Sequence, residues 1–272
     1  MSSGYHIVVC GSLVPDPLQT LEPVMGPGGP ALKNEMMLPS VLDPWASHAL
    51  YEAAHLAKQN PGSKIWLVCL GPKAKLQQLM MSVAQKVSFE LVALDGPANG
   101  FTEAFDVAQA LSDAIQGIPG LDRSRFMLFG GWESASRAAG ITLQMVGERL
   151  KILNQFQGVD ELAVQADGSF RILERIEGGR HQVSCCGKLP LLLGWATGGL
   201  PEPPNNPQVG MINMRQVMPA LQKAKSTKIG TEGTKYLSMA LPRQTRDTRV
   251  VKNMPPEEIA REIVDWIQQS GS

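Results

Sequence analysis

Over its first two thirds the chain alternates short apolar runs with longer amphipathic segments, and that alternation leaves few folds open. A short apolar run is a strand buried on both faces, and the amphipathic stretch between two such runs is the crossover helix that joins parallel strands. Runs at His6–Cys10, Ile65–Leu70, Leu91–Leu94, Phe126–Phe129 and Leu191–Gly194 predict strands. Segments at Asp43–Gln59, Lys73–Val87, Thr102–Gln116 and Ser134–Arg149 predict the helices between them. The first helix has the clearest start: Asp43 is a natural N-cap, Pro44 suits the first helical position, and Ala46, Ala49, Leu50, Ala53, Ala54 and Ala57 make one apolar face. The expectation is an α/β protein with an open parallel sheet and helices on both faces.

Further along the period changes. Around Leu162–Ile176 apolar residues alternate with a period of two, and Ala166-Asp167-Gly168-Ser169 reads as a tight turn. A small antiparallel insertion is expected at about 160–186. The run from Pro201 to Pro207 excludes helix and central strand, so it marks an exposed loop before a helix near Met214–Lys225. Beyond Lys225 a Gly/Thr/Lys stretch and the basic run Arg243–Lys252 lead to an amphipathic helix at Pro256–Gln269. Residues 1–225 are therefore read as an α/β domain, and 226–272 as a C-terminal arm.

Charge and composition narrow the function. Lys plus Arg and Asp plus Glu are balanced at 25 each, with charged residues at 18%, so no basic field exists to grip a nucleic-acid backbone. No stretch approaches the roughly 18 uninterrupted apolar residues of a membrane span. The amino end lacks the pattern of a secretory signal, and a cytoplasmic protein is expected. Cys10, Cys69, Cys185 and Cys186 have neither disulfide-framework nor metal-site spacing and read as packing residues. GxxxxGK[ST], GxGxxG, GxSxG and HExxH are all absent, and His6, His48, His55 and His181 form no catalytic set. A binding or electron-transfer role is favoured over catalysis.

An open parallel sheet binds ligands beyond the carboxyl ends of its strands. The loops there are Gly11–Asp16, Asp43–Trp45, Leu70–Pro72 and Gly130–Gly140. Gly130-Gly131 followed by Ser134, Ser136 and Arg137 offers backbone N–H groups, two hydroxyls and a guanidinium to an anion. The same glycines would also serve a sharp strand-to-helix turn capped by Ser134. Both readings stay open on the residues alone.

At these loops the chain resembles the electron transfer flavoprotein β subunit family, over about His6 to Ile267. The resemblance rests on Ser12-Leu13-Val14-Pro15-Asp16, on Asp43-Pro44-Trp45 with Glu52-Ala53, on Leu70-Gly71-Pro72, on Arg175-Ile176-Glu177-Gly178-Gly179 with Leu189-Pro190, and on Met218-Pro219-Ala220-Leu221-Gln222-Lys223-Ala224-Lys225. It implies a flavodoxin-like α/β domain with a C-terminal arm packing on an α subunit that carries most of the electron-transferring FAD. It also implies AMP, or a second FAD in electron-bifurcating members, held by Cys10, Asp43, Pro44, Trp45, Ala46, Leu70, Gly130, Gly131, Ser134, Ser136, Arg137, Gly140 and Ile141. Met218 corresponds to the residue that docks a dehydrogenase or reductase flavoenzyme. The chain departs from the family at Ser12 and Asp43, at Ala135-Ser136-Arg137 and Gly140-Ile141-Thr142, and in a longer segment between Pro203 and Met218. Alternatives are an integral subunit of an acyl-CoA reductase complex and a lone nucleotide-binding or nucleotide-hydrolysing protein.

Overall fold

The computed structural model describes residues 4–27, 29–97, 102–136, 139–229, 238, 240–241, 243 and 248–270. In chain order its main elements are β1 (His6–Pro15), β2 (Pro23–Gly26), β3 (Gly29–Leu32), β4 (Ser40–Leu42), α1 (Pro44–Gln59), β5 (Lys64–Gly71), α2 (Lys73–Val83), β6 (Glu90–Asp95), α3 (Ala104–Gln116), β7 (Phe126–Gly131) and α4 (Thr142–Arg149). There follow β8 (Asn154–Val164), β9 (Phe170–Ile176), β10 (Arg180–Cys186), β11 (Leu191–Trp195), α5 (Pro207–Gln222), β12 (Lys225–Ser226) and α6 (Pro256–Ser270). The described residues form a 10-stranded sheet in the order β10-β9-β8-β11-β7-β1-β5-β6-β12, with β4 paired to the end of β1. Every neighbour pair from β8 to β12 is parallel, whereas β8-β9-β10 is antiparallel. The open parallel sheet and the antiparallel insertion are as the sequence predicts.

Winding order refines that picture. From β1 the chain steps outward to β5 and β6, then returns to lay β7 on the other side of β1. In order of appearance the first four parallel strands lie 3-2-1-4, the arrangement of doubly wound dinucleotide-binding sheets, and the switch falls between β1 and β7. Each face of the sheet is covered by helices. Leu50 of α1, Leu76 of α2 and Leu221 of α5 pack with Ile7, Leu67 and Phe129 on one face. On the other, Leu111 and Ile115 of α3 and Val146 of α4 pack with Val8, Val68 and Leu128. Successive strand residues thus feed opposite layers, as the two-residue period requires.

Three expected elements differ from those observed. The helix predicted over Ser134–Arg149 begins only at Thr142, because residues 132–136 turn instead: the Ser134 hydroxyl pairs with Ser136 (Oγ–Oγ 2.8 Å) and the Ala135 N–H is taken by Asp43. The Met214–Lys225 helix starts at Pro207, where the Asn206 side chain accepts from the N–H groups of Gln208 and Val209 at 3.0 and 3.3 Å. Lys73–Val87 stops being α-helix at Val83, and buried Asn213 of α5 donates to the carbonyls of Ala84 and Val87 at 2.7 and 2.9 Å. Two hairpin strands, β2 and β3, were not expected. Leu18, Met25, Met36 and Met37 in and around that hairpin are 91, 61, 94 and 84% exposed.

The segment after β11 is strapped to α1. Buried Glu52 accepts from the N–H groups of Gly199 and Leu200 at 2.9 and 3.0 Å, His55 Nε2 meets the Pro201 carbonyl at 2.9 Å, and Tyr51 and Lys86 both pair with Glu202. The proline-rich run is therefore exposed, as expected, yet anchored at several points. By contrast, every side chain of α6 from Glu257 to Gln269 is exposed.

Two outcomes test this fold. Leu67, fully buried on β5, should lose about 2–5 kcal/mol on Leu67→Ala in urea unfolding, the usual cost of a core cavity. His6 is buried, takes the Asp122 N–H on Nδ1 at 2.9 Å, and has its pKa lowered by burial and then by the Arg125 guanidinium. A neutral buried histidine must charge on unfolding, so stability should be intact above the ordinary histidine value of about 6.5 and fall as the pH drops below it. The urea midpoint should fall between pH 7.5 and pH 5.5, and His6→Gln should shrink that fall. Equal pH dependence in both proteins would remove His6 from this role.

Candidate functional site

A cleft opens at the strand switch, where the carboxyl ends of β1 and β7 diverge, the position at which open α/β sheets bind ligands. Its floor and near wall are Cys10, Gly11 and Ser12 from β1, Asp43 and Ala46 from the start of α1, and Leu70 from β5. The far wall is the Gly130–Ser136 loop with Gly140 and Ile141, and α3 closes the remaining side with Ala104, Val107 and Leu111. Of the sequence-predicted residues, Cys10, Asp43, Ala46, Leu70, Gly130, Gly131, Ser134, Ser136, Gly140 and Ile141 line this one cleft. Pro44 and Trp45 stand behind it at the helix start, and Arg137 lies outside the described residues. Met218 is elsewhere: it is half-buried on α5 against the main core, where Met211 and Ile212 are the exposed apolar side chains, 65 and 61%.

Backbone packs so closely here that side chains are excluded. A Cβ on Gly11 would lie 2.6 Å from Cys69 Sγ, and one on Gly131 would lie 2.7 Å from Trp45 Cβ. At Gly140 it would lie 1.6 Å from the Trp132 carbonyl oxygen. The glycines thus let the far-wall loop seat directly on α1 and fold back on itself. Of the reading of Gly130-Gly131 as a sharp turn capped by Ser134, the turn is observed but the cap is not, since α4 starts at Thr142 behind Ile141; the turn also borders the cleft.

Electrostatically the cleft is asymmetric. At the α3 end the Glu103 carboxylate already accepts from the N–H groups of Phe105 and Asp106 at 2.6 and 3.2 Å. At the α4 end Ile141 supplies no side-chain cap, and this helix start, with its partial positive charge, borders the cleft through Ile141, Thr142 and Leu143. The described lining residues include no Lys, Arg or His. An anion would accordingly be held by backbone N–H groups and the Ser134, Ser136 and Thr142 hydroxyls, while the α3 wall offers apolar contact. Burial pushes the Cys10 thiol up to about 12, so it stays protonated and serves as lining. Among the described residues no group of three or more His, Cys, Asp or Glu could hold a metal ion.

Sequence reasoning missed the α3 wall. The strand-end rule could have found it, since the segment after β6 leaves the sheet at the same edge as those after β1, β5 and β7. It also missed Asp160, whose carboxylate, beyond the far wall, receives Arg175 through Nε and Nη2 at 3.0 and 2.8 Å, His181 Nε2 at 2.9 Å and the Thr197 hydroxyl at 3.0 Å. Those residues tie β9 and β10 to the end of β11. They are matched to one another, and none lines the cleft.

Thiol accessibility checks the placement. Iodoacetamide at pH 8 should modify exposed Cys185 well before Cys10 or Cys69, because the thiolate is the reactive form and desolvation holds both of those thiols protonated. Rapid labelling of Cys10, read by peptide mass spectrometry, would contradict a buried cleft floor. No helix among the described residues is long and apolar enough to cross a membrane. No protein-family model matches the chain, and no curated protein matches it.

Proposed function

We propose that the chain is the β subunit of a heterodimeric electron transfer flavoprotein. It holds AMP, or a second FAD, in the switch-point cleft and forms one wall for the FAD carried mainly by the α subunit. The carrier passes electrons between a dehydrogenase or reductase flavoenzyme, of acyl-CoA type, and another redox partner. The observation that carries this reading is the cleft itself. Three of the motifs that resemble the family, Ser12–Asp16, Asp43–Trp45 and Leu70–Pro72, reach it through Ser12, Leu13, Asp43 and Leu70, and an apolar wall faces an open helix start across it, which suits a base at one end and a phosphate at the other. The lining combines apolar surface and hydroxyl donors with two carboxylates, Glu133 and Asp43, of which Asp43 is already engaged by backbone N–H groups.

Exposed apolar surface supports an obligate partner. Ile259, Ile263 and Ile267 recur every four residues on one face of α6 and are 44, 52 and 56% exposed, with Trp266 at 67%. Monomers rarely leave contiguous apolar patches in water. We assign α6 and the β2–β3 hairpin to the α subunit, and the longer segment before Met218, with Met211 and Ile212, to the redox enzyme.

Co-expression with the α subunit and counting of released nucleotide test the reading. One FAD and one AMP per heterodimer is the result expected of a simple carrier, two FAD would mark the bifurcating type, and a flavin-free monomer would overturn the assignment. Ile263→Glu should weaken association by about tenfold to a hundredfold, since burying one such side chain is worth about 1.5–3 kcal/mol. An unchanged dissociation constant would remove α6 from the interface.

A further inference from the structure

Asp43 is 1% exposed and joins three segments through one residue. Its N–H donates to the Ser12 carbonyl at the end of β1 (2.9 Å). Oδ1 accepts from the Trp45 N–H in the first turn of α1 (3.2 Å), and Oδ2 accepts from the Ala135 N–H in the far-wall loop (2.9 Å). Ala135 lies between Ser134 and Ser136, whose hydroxyls line the cleft. The base of the loop is held to β11 by the Trp132 N–H on the Trp195 carbonyl (3.0 Å), while at its tip Ser134 and Ser136 pair with one another, so the tie from Ala135 to Asp43 is what joins the tip to α1.

Both carboxylate oxygens are thus engaged by backbone donors, the Ser134 side chain also hydrogen-bonds the carboxylate, and a buried carboxylate beside a phosphate would repel it. We propose that Asp43 is a positioning residue for the nucleotide site, tying the Ser134–Ser136 segment to the start of α1 and so presenting its hydroxyls to the ligand, without itself contacting the ligand. This role rests on the cleft being a nucleotide site. Neutral side chains of the same shape cannot replace it. In Asp43→Asn the one remaining oxygen can still cap Trp45, but the amide NH2 that replaces the other is a donor and cannot take the Ala135 N–H.

The experiment compares the full-length chain with Asp43→Asn and Asp43→Ala by amide exchange at Ala135, calorimetric titration with AMP at pH 7.5, and the urea midpoint. Asp43→Asn should lose Ala135 protection and bind AMP about tenfold more weakly, the lower range for a lost hydrogen bond to a charged group. Its urea midpoint should stay closer to that of the unaltered chain than the midpoint of Asp43→Ala, which also loses the helix cap. AMP affinity within twofold of the unaltered chain would overturn the positioning role while leaving the nucleotide reading intact. If the unaltered chain binds neither AMP nor FAD, the nucleotide reading falls, and the positioning role falls with it.

Discussion

One strand sets the plan of this protein. β1 is hydrogen-bonded on both edges, to β5 and to β7, and is covered on both faces. Because parallel neighbours need crossovers, the chain can fill those two edges only by winding outward one way and coming back the other. The two crossover directions diverge at the carboxyl end of β1. Connections leaving in opposite directions cannot close over that point, so the cleft is a by-product of satisfying β1.

What lines the cleft then follows from local chemistry. Strand ends deliver Gly11, which lets β1 pack closely on Cys69, and Gly130, which leaves room for Leu143, and the helix starts deliver N–H groups. Two helix starts reach the rim with different character: α3 closes its own with Glu103, and α4 leaves its own open at Ile141. Asp43 spends its charge internally, on Trp45 and Ala135. The cleft therefore has a direction without a single described cationic lining residue.

Buried elements were the legible ones. β1, β5, β6, β7 and β11 announce themselves as apolar runs, and α1 as a capped amphipathic helix, because burial on both faces or along one stripe leaves a periodic trace. The hairpin β8–β9 was legible through its turn, where Gly168 takes φ +83°. Less visible were elements held by partners distant in sequence. β1 runs on to Pro15 because β4 returns to pair with it, and α4 starts late because a side chain about ninety residues upstream takes the Ala135 N–H. β10 presents mostly exposed polar residues at the sheet edge, so no apolar period marks it. The candidate site was legible through the strand-end rule, which also reaches the α3 side after β6; Ala104, Val107 and Leu111 were missed because in sequence they look like any core-facing helix stripe.

Helix α1 begins at the cleft with Asp43 and carries, further along, the Glu52 and His55 that strap the proline-rich segment. At 1.5 Å rise per residue, Asp43 and Glu52 stand about 14 Å apart along its axis. The helix is a ruler. It holds the cleft and the outer segment at a fixed separation that neither loop can change by altering its own sequence.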